Sequence, residues 1–81
     1  MQHLNGLSDL LPFLNFLNRK KIWYVIEHCR DDAIMVSFTL VAVRVEVDFF
    51  EDHIEYSYFS GSEGVESDPA GLLGLIDRHW E

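Results

Sequence analysis

Hydrophobic residues near the start of the chain recur with the period of an α-helix. Apolar side chains stand three or four positions apart, at Leu7, Leu10, Leu11, Leu14 and Leu17. This spacing lines one stripe of a helix. Ser8 is expected to cap that helix, and the basic run at residues 19–21 suits its C-terminal end, where the helix dipole attracts cations. The pattern therefore predicts an N-terminal helix.

The middle of the chain changes to short runs of β-branched and aromatic residues, a composition typical of strands. Four runs are separated by short polar links, at residues 22–29, 33–41, 43–50 and 54–60. In the third run, three valines and Phe49 alternate with Arg44, Glu46 and Asp48. This alternation predicts an antiparallel sheet with one buried face and one face in water.

The links between the runs decide which residues share a face. A two-residue loop at Asp31 and Asp32 and a three-residue loop ending at Ala33 place opposite faces of the first strand on the core; we favour the longer loop, because the shorter one buries Glu27. Residues 40–43 lack Gly, Pro, Asn and Asp, which favours a bulge or bend over a tight turn. A two-residue turn is expected within residues 51–53. The core face then holds Ile22, Tyr24, Ile26, His28, Ile34, Val36, Phe38, Leu40, Ile54, Tyr56 and Tyr58.

A second helix is predicted near the end of the chain. Residues 61–64 form a glycine-containing loop, and Ser67 and Asp68 precede Pro69, the order expected of an N-cap and the first helical position. The apolar side of this helix is supplied by Leu72, Leu73, Leu75, Ile76 and Trp80. Gly71 and Gly74 would permit close approach to the sheet. We therefore predict one α+β domain over residues 1–81, a four-stranded antiparallel meander with one N-terminal and one C-terminal helix on one face.

Composition and charge narrow the function. The 81 residues are 48% hydrophobic and carry 6 Lys and Arg against 14 Asp and Glu, a formal net charge of −8. Arg78 is the one Arg or Lys among residues 45–81, where ten of the acids lie. This balance argues against a sequence-independent grip on nucleic acid. No apolar run is long enough to cross a bilayer, and the N-terminus lacks the basic region of a secretory signal, so we expect a cytoplasmic protein with no membrane contact.

The sequence contains no pattern that points to catalysis or to a cofactor. A single cysteine, Cys29, cannot form an internal disulfide, and an unreactive thiol is the expected role. The four histidines show no metal-ligand spacing. A sheet of this size with two helices seldom encloses the cleft that acid and base chemistry needs. We therefore expect a protein without enzymatic activity, metal or cofactor.

The wet face of the third and fourth strands carries the most distinctive pattern. Glu46, Asp48 and Glu55 are expected close together there, with Phe50 and Phe59 on the same side. Like charges at cross-strand spacing repel each other, so they are either diluted by solvent and by Arg44 or offset by a positively charged partner. The two phenylalanines are either anchors for that partner or are covered by the acidic loop or the second helix.

Residues 44–64, RVEVDFFEDHIEYSYFSGSEG, have an alternating strand that ends in two aromatics, then an acidic turn and a second strand. This stretch resembles small uncharacterised acidic bacterial α+β proteins, some of which look like toxin-immunity partners. The resemblance implies a protein-binding module that masks a basic surface, with Glu46, Asp48, Phe50, Glu55 and Phe59 in the contact. The alternative is a structural subunit that forms a homodimer through an edge strand.

Overall fold

The computed structural model describes residues 4–59, 63–66 and 69–80. A short 3₁₀ turn, Leu7–Asp9, leads into helix α1, Leu10–Arg19, and helix α2, Pro69–His79, follows the last strand. The strands are β1, Tyr24–Arg30; β2, Ala33–Leu40; β3, Val43–Phe50; β4, Ile54–Phe59; and β5, Glu63–Glu66. All neighbours pair antiparallel in the order β1-β2-β3-β4-β5. The predicted α+β meander between two helices is confirmed. Strand β5 extends it through residues 63 and 64, which the sequence pattern assigned to a loop.

Both helices pack on the same face of the sheet, as predicted. Phe13 of α1 is fully buried, with its ring centroid 6.0 Å from that of Phe38 and 5.5 Å from that of Phe49. Helix α2 adds Leu72, Leu75 and Ile76 to the same cluster. The sheet contributes alternate residues of its central strands: Val36, Phe38, Leu40, Val43, Val45, Val47, Phe49, Ile54 and Tyr56. We call this side of the sheet the covered face.

The start of α1 differs from the prediction that Ser8 is its N-cap. Ser8 lies inside the 3₁₀ turn, and α1 begins one residue after Asp9. The Asp9 carboxylate Oδ2 accepts a hydrogen bond from the backbone N–H of Asn5 at 2.7 Å. Asp9 therefore holds the incoming chain and makes no side-chain capping bond to the helix.

Helix α1 ends in a Schellman motif. The N–H of Ile22 donates to the carbonyl of Leu17 at 2.9 Å, and the N–H of Lys21 donates to that of Asn18 at 3.0 Å. Lys21 has φ 60, a left-handed conformation that glycine usually occupies at this position. Ile22 is buried directly after the motif, so the helix end and the core are joined.

The β1–β2 hairpin keeps the predicted faces but not the predicted loop. Arg30 pairs with Ala33, so the turn has two residues and the three-residue loop is wrong. Tyr24 nevertheless lies opposite Phe38, because the register shifts between Glu27 and Arg30, a β-bulge that absorbs the extra residue. The expected burial of Ile26 and His28 is also wrong. Ile26 is 48% exposed, since β1 is the outer strand and the core lies over the sheet centre.

The β2–β3 link is a tight turn, so the predicted bulge or bend is wrong. Leu40 pairs with Val43, which leaves Val41 and Ala42 as the whole turn. Ala42 adopts φ 64 in place of the glycine or asparagine that usually occupies such a position. A left-handed alanine costs about 1 kcal/mol, an energy that the long β2–β3 ladder offsets.

The β3–β4 hairpin has the predicted two-residue turn. The N–H of Phe50 donates to the carbonyl of His53 at 2.9 Å, with Glu51 and Asp52 between them. Gly6 crosses this end of the sheet at φ 148, and a Cβ there would lie 2.6 Å from the carbonyl oxygens of Phe50 and Glu51. Glycine at position 6 therefore lets the N-terminal segment lie against the hairpin.

Helix α2 begins at Pro69 as predicted, while Ser67 and Asp68, the expected caps, lie outside the described residues. The Trp80 Nε1–H donates to the carbonyl of Lys20 at 2.8 Å and so ties the end of α2 to the end of α1. A Cβ at Gly74 would meet only Arg78 Nη1, at 3.4 Å. The expectation that Gly74 allows close approach to the sheet is therefore wrong.

Candidate functional site

The sheet face opposite the helices carries the polar and charged side chains, and we call it the outer face. Strand register arranges its side chains in rows that cross the strands. One row holds Thr39, Arg44 and Phe59; the next holds Val25, Ser37, Glu46 and Ser57; the third holds Glu27, Met35, Asp48 and Glu55; the last holds Arg30, Ala33 and Phe50. The outer face therefore has an acidic middle between two ends. Arg44 and the aromatic Phe59 lie at one end, and Arg30 lies at the other.

The acidic middle brings together three residues that the sequence predicted as a group. Asp48 lies directly opposite Glu55, and Glu46 is two residues from Asp48 on the same side of β3. Glu27 of β1 lies in the same row as Asp48, with Met35 between them. We call these four residues, Glu27, Glu46, Asp48 and Glu55, the acidic band. Directly opposed carboxylates stand about 5 Å apart at Cβ, a spacing at which like charges are destabilising.

Cations stand at both ends of the acidic band. Arg44 Nη2 lies 3.4 Å from Glu46 Oε2, and both side chains keep partial exposure. At the other end, Arg30 Nε lies 3.3 Å from Asp32 Oδ1 and the guanidinium also acts on Asp48 through its charge. The negative potential of the band is therefore bounded along the strands. The sequence predicted Arg44 beside the carboxylates but not Arg30.

The Asp48 carboxyl lies in an unfavourable electrostatic environment. Partial burial raises the pKa of its carboxyl; the Arg30 charge opposes this, and the charges of Glu46 and Glu55 add to it. Ionisation of Asp48 is therefore less favourable in the folded protein than in the unfolded chain. A cation placed over the band would relieve that cost.

Phe50, a predicted anchor for a partner, is one of the two phenylalanines for which the sequence left burial open, and the structure buries it. Its side chain is 8% exposed. The His53 ring stacks on it with centroids 4.4 Å apart and planes 4° apart, and the Arg30 Cζ lies 4.9 Å from its centroid. These two side chains lie against the Phe50 ring from two sides. Phe50 is thus a platform that holds the Arg30 guanidinium and the His53 ring at the end of the acidic band.

The aromatic end of the outer face holds Phe59, which was predicted, and Trp23, which was missed. Phe59 is 37% exposed and lies opposite Arg44. Trp23 is 85% exposed and lines a shallow depression of about 200 Å³ with Val25, Thr39 and Arg44. The signal was present in the sequence, because Trp23 stands between Ile22 and Tyr24, both assigned to the core, and must point the other way.

His53 lies between two carboxylates in the β3–β4 hairpin. Its Nδ1 is 2.7 Å from Asp52 Oδ1, and its Nε2 is 3.2 Å from Glu55 Oε2. The hydrogen bond with Asp52 is the largest cause that raises the pKa of His53, partial desolvation opposes it, and Glu55 adds to the rise. The same contact lowers the pKa of Asp52. The His53 ring, a titratable group, therefore connects Asp52 of the turn with Glu55 of the acidic band.

An open cleft of about 590 Å³ lies between the β1–β2 and β3–β4 turns, lined by carboxylates, two histidines and Phe50. Among residues 4–59, 63–66 and 69–80, no three His, Cys, Asp or Glu side chains are arranged to hold a metal ion. The side chain of Cys29 lies outside what the structure describes, so the expectation of an unreactive thiol stays a prediction.

Comparison of the chain with protein-family models, with curated proteins and with solved structures found no match. The described part of the chain contains no helix with the length and apolar character to span a membrane.

Proposed function

We propose that this protein is a small acidic, non-enzymatic binding module for a protein with a basic surface. Its sharper form is an immunity or inhibitor protein that masks that surface. The observation that carries the proposal is the acidic band on the uncovered side of the sheet, next to an almost fully exposed Trp23. Charge complementarity of this kind steers association, and a tryptophan beside it is typical of an interface anchor.

Each part of the outer face has a role in this proposal. Glu46, Asp48 and Glu55 attract and orient lysine or arginine side chains of the partner. Trp23 and Phe59 supply apolar contact area at the end of the face. Phe50 contributes indirectly, since it holds Arg30 and His53 in place. Arg44 competes with the partner for Glu46, so binding exchanges one weak ion pair for another.

The electrostatic cost of the acidic band supports a partner over a merely solvated surface. Asp48 and Glu55 face each other across paired strands, and the pKa of Asp48 is raised. Both observations mean that ionisation of Asp48 works against folding. A basic partner turns this repulsion into attraction, which gives the arrangement a use that solubility alone does not require.

Charge-neutralising variants test the proposal. The E46Q/E55Q variant removes two charges from the acidic band, and the D9N/D77N variant removes two from the helical side of the molecule. Wild type and D9N/D77N should capture the same basic protein from lysate of the native host at low salt. E46Q/E55Q should bind that purified protein about ten-fold more weakly by calorimetry, since two partly screened contacts are lost. Circular dichroism checks that all three proteins are folded.

Salt provides a second test of the same contact. The Debye length falls from about 10 Å at 0.1 M to about 3 Å at 1 M ionic strength, so added salt should weaken the interaction. The W23A variant should also weaken it, at every salt concentration, because Trp23 contributes apolar contact. Equal losses in E46Q/E55Q and D9N/D77N, or affinity independent of salt, would contradict the proposal.

Self-association through β1 is the second candidate function, and the exposure of that strand favours it. β1 is an outer strand of the sheet, and Val25 and Ile26 are 50% and 48% exposed on its two sides. A second copy adding its own β1 would bury both side chains and extend the sheet. Light scattering across a dilution series distinguishes the candidates, because a concentration-dependent dimer that V25K/I26K abolishes supports self-association.

A further inference from the structure

His53 makes two contacts that only one of its protonation states can satisfy. Both of its ring nitrogens lie within hydrogen-bond distance of carboxylate oxygens, one from Asp52 and one from Glu55. Ionised carboxylates only accept hydrogen bonds, and neutral imidazole carries a single N–H. Both contacts are therefore hydrogen bonds only when the ring is an imidazolium.

We propose that His53 is a pH-operated switch that sets how much negative charge the acidic band presents. In the imidazolium state the ring ties Glu55 to Asp52 across the end of the hairpin and cancels one charge. When the proton leaves to solvent, one carboxylate loses its donor and becomes available to a basic partner. The partner-binding part of this inference rests on the proposed function; the titration of His53 does not.

The position of the ring makes it suited to this role. Stacking on Phe50 holds the ring plane within 4° of parallel, so both nitrogens stay directed along the hairpin. Glu55 belongs to the acidic band and lies opposite Asp48, so the switch acts on the predicted binding surface. The charged and titratable groups around the ring are Asp52 and Glu51 of the turn, Glu55 of β4, Asp48 of β3, Arg30 and His28 of β1, and Asp31 and Asp32 of the β1–β2 turn.

The direction of the pH effect follows from these contacts. Asp52 and Glu55 raise the pKa of His53 above its ordinary value of 6.5. The imidazolium therefore persists to higher pH than in a free histidine. Binding of a basic partner should strengthen as pH rises through the His53 titration. By reciprocity, a basic ligand on Glu55 should lower the pKa of His53.

Proton NMR of the His53 ring tests the switch without a partner. D52N and E55Q should each lower the pKa of His53, and D52N should lower it more, because the Asp52 contact is the shorter one. D77N, on α2, removes the same charge far from the hairpin and should leave the titration unchanged. Identical titrations in wild type, D52N and E55Q would overturn the switch.

A lysine-rich model peptide tests the coupling to binding. At low salt, wild type should bind the peptide about two-fold more tightly above the His53 titration than below it, the effect of one partly screened charge. H53Q should bind with no step in that pH range, and the peptide should lower the pKa of His53 in wild type. The same pH step in H53Q would overturn the coupling.

The two readouts separate the inference from the proposed function. In one outcome, D52N and E55Q shift the pKa of His53, but E46Q/E55Q binds the peptide as tightly as wild type. This outcome would reject the acidic band as the binding surface and overturn its coupling to the switch. Unshifted titrations with binding that depends on E46Q/E55Q would reject the switch and keep the binding module.

Discussion

The two faces of one sheet differ completely although alternate residues of the same strands build them. In β3, Val45 and Val47 are fully buried beneath the helices. Glu46 and Asp48 alternate with them and belong to the acidic band on the other face. The buried cluster on the covered face consists of hydrophobic residues, and each of them gains from its removal from water. The outer face mixes opposed carboxylates, arginines and exposed aromatics, and the raised pKa of Asp48 means that its ionisation works against folding. The hydrophobic core thus lies on one face, and the other face carries the surface that we propose for recognition.

The largest expected effect sharpens this comparison by truncating one aromatic on each face. F13A should lower the free energy of unfolding by about 3–5 kcal/mol, because the buried Phe13 ring contacts Phe38 and Phe49 and would leave a cavity. W23A should change it by less than about 0.5 kcal/mol, because Trp23 is exposed. Urea denaturation followed by circular dichroism measures both. A large loss in W23A would mean that the outer face also stabilises the fold.

A medium effect is expected at the turn that sets which residues fall on which face. A42G should raise the free energy of unfolding by up to about 1 kcal/mol, since glycine accepts the left-handed conformation that strains Ala42. A42V should lower it by about 1 kcal/mol or more, because a β-branched residue is poorly tolerated there. Thermal denaturation of the pair gives the comparison. If A42G is the less stable protein, the strain at this turn is smaller than the added freedom of the unfolded chain.

Ala42 also shows why some of the fold could not be predicted. The alternation in β3 and β4 assigned their faces correctly, because burial repeats at every second residue and is visible locally. The turn at residues 41–42 gave no signal, because no residue there has the usual turn chemistry. In the β1–β2 hairpin, a bulge at the strand end compensated for a shorter loop, so the predicted faces were right for a reason other than the predicted one.

The candidate site divides in the same way. Parity within two adjacent strands was enough to place Glu46, Asp48 and Glu55 together. Burial of Phe50 was one of the predicted alternatives, but its contacts with Arg30 and His53 could not be foreseen, since these side chains approach it from two different hairpins. The place of Arg44 beside Glu46 follows from alternation within β3, whereas Arg30 acts on Asp48 from β1, and the sequence pattern did not predict that contact. Exposure of Trp23, in contrast, followed from alternation and was simply overlooked.

The smallest effect is expected for D48N. This variant should stabilise the fold through a change on the outer face and not on the covered face. The pKa of Asp48 is raised above its ordinary value of 3.8, so ionisation of this carboxyl works against folding. Below that value Asp48 is neutral in both the folded and unfolded states, and D48N should match wild type. As pH rises through the folded-state pKa, wild type loses stability that D48N keeps.

The gain for D48N near neutral pH should be a few tenths of a kcal/mol, since solvent screens a partly exposed carboxylate. Chemical denaturation at about pH 3 and near pH 7 measures it, with D77N as the control that should show no such gain. Lower stability of D48N near neutral pH would mean that attraction to Arg30 outweighs burial and that the acidic band is stabilising in itself. A gain in stability accompanied by weaker binding of a basic partner would instead identify Asp48 as a charge that the outer face retains for recognition, at the expense of the fold.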